Sequence, residues 1–214
     1  MWPHSGSHSA QASVCSLRIS NRAVNRRDDQ RNTIELPKGI SKGTSHLTVE
    51  MSLKKVTTCL WFDGQAEEAA NLYTSVFANS KITFVQRYSD AGKETHGREP
   101  GTVMAVGFEL NGHPFVGLNG GPQFRFSEAI SFQIDCVDQA EVDHFWDKLG
   151  EGGDDAKSRC GWLADRFGVS WQVIPTVLKD MLAATDRARA DRATKAMMGM
   201  KKLDIAVLQQ AFDG

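Results

Sequence analysis

The sequence predicts an α+β fold in which paired β-α-β-β-β modules form an open barrel-like pocket, followed by C-terminal helices. Three observations predict it. A strand-length apolar run precedes an amphipathic helical run twice, at residues 56–62 and again from Ala129. Both helical runs open on Gln-Ala-Glu, at Gln65-Ala66-Glu67 and Gln139-Ala140-Glu141. Short strand segments with turn residues between them then follow each helix, and this order of elements marks an internal repeat.

The elements follow in chain order. Residues 56–62, VTTCLWF, are apolar and β-prone, and Asp63-Gly64 closes them with turn formers. In 65–77, Ala69, Leu72, Tyr73, Val76 and Phe77 keep helical spacing, with Glu67 and Glu68 near the start, where acids complement the helix dipole. Residues 82–88 read as a strand. After a polar loop, Asn111-Gly112 is a two-residue hairpin signal between two more strands. In the second module, 129–137 forms a strand, and Val142, Phe145, Trp146 and Leu149 stand at helical spacing. Strands are expected around 158–164 and 169–174, joined by the turn Asp165-Arg166-Phe167-Gly168. Beyond Pro175 come helices at 177–184, a segment capped by Asp186, and 203–212. Met197, Met198 and Met200 on the tail's stripe are read as packing rather than as a soft-metal site.

Composition sets outer bounds. With 41% hydrophobic and 24% charged residues, the chain can build one sizeable core, placed at residues 53–214. Residues 1–52 are rich in Ser, Asn and Arg without an apolar period, so they are expected to be a disordered leader. A mis-assigned start or a vector-derived segment accounts for that leader, with a transit peptide as the alternative. A net charge of -1 supplies no field for nucleic acid or an anionic membrane surface. No apolar run reaches the roughly 18 residues of a membrane-spanning helix. Cys15, Cys59, Cys136 and Cys160 form no Cys-x-x-Cys pair, which points to reduced thiols in a cytoplasmic setting. Cys59 and Cys136, inside apolar strand runs, are expected to be buried.

The runs CLWFDGQAEEAANLYTSVF, GLNGGPQFRFSEAISFQIDC, CGWLADRFGVSWQVIP and MMGMKKLDIAVLQQAF resemble the PhnB-like branch of the vicinal oxygen chelate superfamily. The Gly-Trp-Leu-x-Asp-x-x-Gly-x-x-Trp-Gln run and the Gly-Leu-Asn-Gly-Gly loop, in this order, make the resemblance specific. It implies the vicinal oxygen chelate fold, a pocket for a small-molecule ligand and a homodimer. The branch is often labelled 3-demethylubiquinone-9 3-methyltransferase. Superfamily enzymes such as glyoxalase I hold a divalent metal through four strand positions, which by register fall on Thr58, Gly117, Ser131 and Gln172. Two hydroxyls, one amide and a glycine fall short of a divalent site, so no metal and no cofactor are expected.

Period-two alternation places Thr58 and Leu60 on one face of the first strand, with Cys59 and Trp61 on the other, toward the helices. The expected pocket lining is Thr58, Leu60, Gly117, Asn119, Ser131, Gln133 and Gln172, with Trp171 and Val173 turned to the helices. The alternative is that the polar members only satisfy one another or ordered water. His113 falls at a turn, and His96 and His144 are expected to be solvated. Three functions follow in order: binding of a small organic molecule without metal, a methyltransferase as the family label implies, and a metal-dependent glyoxalase or dioxygenase. The second lacks a Gly-rich strand-to-helix turn, and the third lacks ligands. The tail helices are expected to cover a partner subunit or the module edges.

Overall fold

The computed structural model describes residues 56–214, and the expected leader at 1–52 lies outside them. The first module runs β1 (Thr58–Phe62), α1 (Ala66–Val76), β2 (Lys81–Arg87), a single turn α2 (Lys93–His96), β3 (Val103–Leu110) and β4 (His113–Asn119). Its sheet has the order β1-β4-β3-β2, with β1 parallel to β4 and the other pairs antiparallel. The hairpin between β3 and β4 turns on Asn111 at φ 46° and Gly112 at φ 74°. Two successive left-handed residues are what the twist of a two-residue hairpin requires, which explains Asn-Gly there.

The second module runs β5 (Phe132–Cys136), α3 (Gln139–Gly150), β6 (Trp162–Ala164) and β7 (Ser170–Pro175), with the order β5-β7-β6. It carries three strands where four were expected, because no counterpart of β2 forms. The segment EGGDDAKSR at 151–159 holds no β-branched or aromatic residue. It folds instead into a 3-10 turn at Asp155–Lys157, with the Asp154 side chain accepting from the Ala156 N–H. Asp138 caps α3 by accepting from the Glu141 N–H, and the Glu141 carboxylate accepts in turn from Val137 N–H.

Both long helices lie between the sheets. Tyr73 of α1 meets Phe108 of β3 at 6.1 Å on one side and Trp171 of β7 at 5.2 Å on the other. α3 packs on β5, β6 and β7 and touches α1. One core therefore joins the modules through Leu60, Phe62, Tyr73, Val106, Phe108, Val142, Trp171 and Val173. The sheets do not close on each other, and each turns its second face outward.

The tail forms α4 (Thr176–Ala183), α5 (Arg187–Met198) and α6 (Ile205–Asp213). These helices gather a second core of Leu178, Met181, Met197, Leu203 and Leu208 around Cys160, with Ile174 of β7 against it. The tail thus covers an edge of the second module. The N–H groups of Cys160 and Gly161 donate to the carbonyls of Met200 and Lys201 at 2.7 and 2.8 Å, tying the tail to the start of β6. Asp186 caps α5, accepting from the N–H groups of Ala188 and Arg189. Met197 is buried and Met198 exposed, as a packing stripe demands. No helix among the described residues is long and apolar enough to cross a membrane.

Candidate functional site

The faces of the first sheet are fixed by its register. Leu60 stands beside Gly117, and Phe62 beside Asn119. A Cβ on Gly117 would lie 3.2 Å from the Ala66 Cβ, so this glycine lets α1 approach the sheet. Asn119 Oδ1 accepts from the Ala66 N–H at 2.9 Å, and its amide donates to the Val103 carbonyl at 3.1 Å. Leu60 is only 6% exposed and belongs to the core. Leu60, Gly117 and Asn119 thus face α1, the reverse of the expected arrangement. The physical reason is that Leu60 and Phe62 are no more apolar than Cys59 and Trp61, and a one-residue shift exchanges the two sets. Thr58 sits at the sheet end, its hydroxyl 3.5 Å from His113 Nε2.

The outward face belongs to Cys59, Trp61, Phe84, Val116 and Leu118. Two glycines make room for its rings: a Cβ on Gly107 would lie 2.2 Å from the Phe84 ring, and one on Gly120 would lie 2.1 Å from the Trp61 ring. Trp61 Nε1 donates to the Gly121 carbonyl at 2.8 Å, and Phe124 meets the indole edge-on at 5.0 Å. Phe84 is 46% and Phe124 65% exposed, so aromatic surface faces solvent in the single chain. Cys59 is exposed beside them, not buried as expected, while Cys136 is fully buried. Burial pushes the Cys136 thiol up to about 12.

On the second sheet, Gln133 and Gln172 are neighbours across the β5-β7 pair, and Trp162 stands beside Gln172 across β6-β7. Gln172 Nε2 donates to the Ser131 hydroxyl at 2.8 Å. Gln133 donates to Asp135 Oδ1 at 2.8 Å, and Lys179 pairs with that same oxygen. The structure brings Ser131, Gln133 and Gln172 together on the outward face and keeps Leu60, Gly117 and Asn119 apart from them, against α1. Trp171 and Val173 point into the core, where alternation put them.

The donor set does not fit the divalent ion of the superfamily's enzymes. Thr58, Ser131 and Gln172 offer two hydroxyls and an amide, and the second position is a glycine. No group of three His, Cys, Asp or Glu side chains gathers among the described residues. The histidines hold structure together instead. His144 is exposed to solvent, as expected, and its Nε2 lies 3.0 Å from the Val76 carbonyl, joining α3 to the end of α1. His96 Nδ1 accepts from the Arg98 N–H at 3.0 Å.

Sequence reasoning missed two features. A cavity of about 530 Å³ opens between the β1-α1 turn, Tyr88 and the loop carrying Arg98, with Asn119 in its wall. The other is Asp165, 2% exposed in the β6-β7 turn. It accepts from the Tyr73 hydroxyl at 2.7 Å, Trp171 Nε1 at 2.8 Å, and the N–H groups of Phe167 and Val169 at 2.9 and 3.0 Å. Burial raises its pKa despite those four donors, and burial together with the neighbouring Asp165 charge raises that of Tyr73 well above the usual phenol. Asp165 in a predicted turn and Tyr73 on a predicted apolar stripe were each visible, but nothing in one sequence joins them.

The family model described as 3-demethylubiquinone-9 3-methyltransferase matches residues 54–174. Among solved structures, a PhnB protein from Bacillus cereus, described as a 3-demethylubiquinone-9 3-methyltransferase, is 35% identical over 57% of this chain and 100% of its own, with a TM-score of 0.51. Protein PA1353 from Pseudomonas aeruginosa is 19% identical over 56% of this chain and 96% of its own, with a TM-score of 0.44. The fosfomycin resistance protein FosX from Listeria monocytogenes is 18% identical over 62% of this chain and 98% of its own, with a TM-score of 0.39. No curated protein matches the chain.

Proposed function

The chain belongs to the 3-demethylubiquinone-9 3-methyltransferase family, in its PhnB-like branch with the vicinal oxygen chelate fold, and from that premise we propose that it binds a small organic molecule without a resident metal, in a pocket completed by a second copy of the chain. The observation that carries this reading is the outward face of the first sheet. Trp61, Phe84, Val116 and Leu118 form an apolar floor, and Phe84 and Phe124 are left open by the single chain. Contiguous exposed aromatic surface of this kind marks a site for a ligand or partner. The outward face of the second sheet offers the complementary chemistry in Ser131, Gln133, Gln172 and Trp162. Helices α1 and α3 separate the two faces within one chain, so a homodimer brings the apolar floor of one copy over the polar face of the other.

Two measurements test this on the full chain. Sedimentation should give a dimer, and denaturing extraction followed by mass spectrometry should release a small molecule that the Trp61→Ala protein no longer carries. A strictly monomeric protein sinks the shared pocket. Stoichiometric zinc, nickel, manganese or iron lost on Gln172→Ala sinks the metal-free reading and restores the glyoxalase or dioxygenase class.

The family's description favours a second reading, a methyltransferase. Neither sheet is doubly wound; Gly117 lies within β4, and Gly120 and Gly121 follow it and precede Pro122 without opening a helix. Calorimetric binding of S-adenosylmethionine at micromolar affinity would establish that reading over the first.

A further inference from the structure

The cavity beside the β1-α1 turn carries Glu67, Arg98 and Glu99 at its rim, with the Tyr88 hydroxyl and Asn119 deeper in. Both carboxylates are already matched. Arg87 stands 3.7 Å from Glu67, and Lys93 stands 2.8 Å from Glu99. The Asn119 amide is committed to Ala66 and Val103, and the Tyr88 hydroxyl donates to the Asn119 carbonyl at 3.1 Å. Arg98 is different. Among the described residues its guanidinium has no ion pair and no hydrogen bond, although the side chain is half-buried, and only its backbone N–H is engaged, by His96.

A half-buried guanidinium with five unused donors carries a desolvation cost that a two-oxygen anion offsets through paired, charge-assisted bonds. The three cations Arg87, Lys93 and Arg98 face two acids, so one positive charge is uncommitted. Its position is also specific. Arg98 Nη2 lies 3.0 Å from where a Cβ on Gly121 would sit, and the φ of that residue, 109°, favours glycine. The carbonyl of the same Gly121 receives Trp61 Nε1. One residue therefore joins the free cation to the aromatic floor.

We propose that Arg98 is the counter-ion for an anionic group, a carboxylate or a phosphate-type group, on the small molecule, whose apolar body lies along Trp61 and Phe124. This rests on the small-molecule reading above and names the ligand's class as an aromatic or apolar acid. Gly121 keeps the approach to the guanidinium open, and Asn119 fixes the wall by holding the start of α1 against β3.

The test uses benzoate, phenylphosphate and neutral benzyl alcohol with the full chain, followed by calorimetry and by the amide shifts of Gly97 and Gly121. At least one anion should bind saturably and shift both amides, at least tenfold more tightly than benzyl alcohol. The tighter of the two identifies the acid as carboxylate or phosphate-type. Arg98→Met should weaken that anion at least tenfold, and Arg98→Lys should recover part of the loss. Neither variant removes a hydrogen bond or ion pair among the described residues, and circular dichroism checks that the fold is kept. Equal binding of benzyl alcohol, or anion binding unchanged in Arg98→Met, overturns the counter-ion while leaving the pocket standing. Failure of all three probes in a protein that still releases a co-purified neutral molecule does the same. Failure of the probes with no co-purified molecule overturns both.

Discussion

Replacing Tyr73 with Phe removes one oxygen and leaves the ring's packing in place, which isolates the bond that ties the two modules together. Tyr73 lies on α1 and its partner Asp165 in the β6-β7 turn, and neither is exposed to solvent beyond 2%. The hydroxyl donates at 2.7 Å to Oδ2, the oxygen that also receives Trp171 Nε1. A bond to a charged acceptor contributes roughly 1.5–3 kcal/mol. Asp165 keeps the indole and two backbone donors in the variant, so the carboxylate is not orphaned, and the loss should fall at the lower end, about 1.5–2 kcal/mol. With a urea slope of roughly 1–3 kcal/mol per M, the midpoint should fall by roughly 0.5–2 M.

The pH dependence gives an independent check. Burial raises the Asp165 pKa, while the Tyr73 bond pulls it down. Tyr73→Phe therefore raises it further. Both proteins hold a neutral Asp165 below the folded-state pKa, so the stability difference is present at neutral pH and shrinks as pH falls through that pKa. Urea titrations of both proteins from pH 7 downward measure it. A difference below about 0.5 kcal/mol at pH 7, or one that stays constant on acidification, refutes the charged bond between modules.

Other substitutions separate tight from yielding contacts. Gly117→Val should destabilise by about 1–3 kcal/mol or more by forcing α1 off the sheet, read by thermal unfolding. Gly107→Ala meets the half-exposed Phe84 ring and the exposed Thr83 hydroxyl, both side chains free to move into solvent; stability should change little, while on the proposed reading less small molecule co-purifies. Peptide-resolved thiol labelling should modify Cys59 at once and Cys136 only on unfolding, because the Cys136 thiol is fully buried and pushed up to about 12. Truncation after Ala184 removes Leu203, Leu208 and Met197 from the second core; the shortened chain should unfold at clearly lower temperature and aggregate.

The elements that were legible are those whose signal is local. The hairpin at Asn111-Gly112 needs only two residues with positive φ, and Asp186 needs only the next turn to cap. The duplicated order was legible too, because each helix must bury an apolar stripe. The missing fourth strand of the second module is visible in retrospect in EGGDDAKSR, which has nothing a sheet can use. The faces of β1 were not legible. Both of its sides are apolar, and the contact of Gly117 with Ala66, the Asn119 bond to Ala66 and the burial of Leu60 show which side α1 covers. On β7 the alternation of Trp171 and Val173 with Gln172 is one of unlike residues, and there period two gave the right face. Arg98 was silent because a free cation is defined by which acids are taken, and Glu67 and Glu99 find their partners only in three dimensions.

The same logic explains why the proposed pocket draws half of its lining from each module. A sheet that packs helices on one face has only its other face to offer a ligand. Here α1 is shared: Tyr73 touches Phe108 in one sheet and Trp171 in the other. That sharing gives the chain one continuous core, and it also forces the free faces apart. Trp61 and Phe84 therefore look outward on one side, and Gln133 and Gln172 on the other. Apolar rings left in water cost about 25 cal/mol for each Å² exposed, so the first face gains most from being covered. In the proposed dimer a second copy would supply a cover that is polar at Ser131 and Gln172 and aromatic at Trp162, with Arg98 at the rim for the charge. In the proposed dimer the specificity of the site would come from the join between copies, and Leu60 and Gly117, expected in the pocket, instead hold α1 to the sheet.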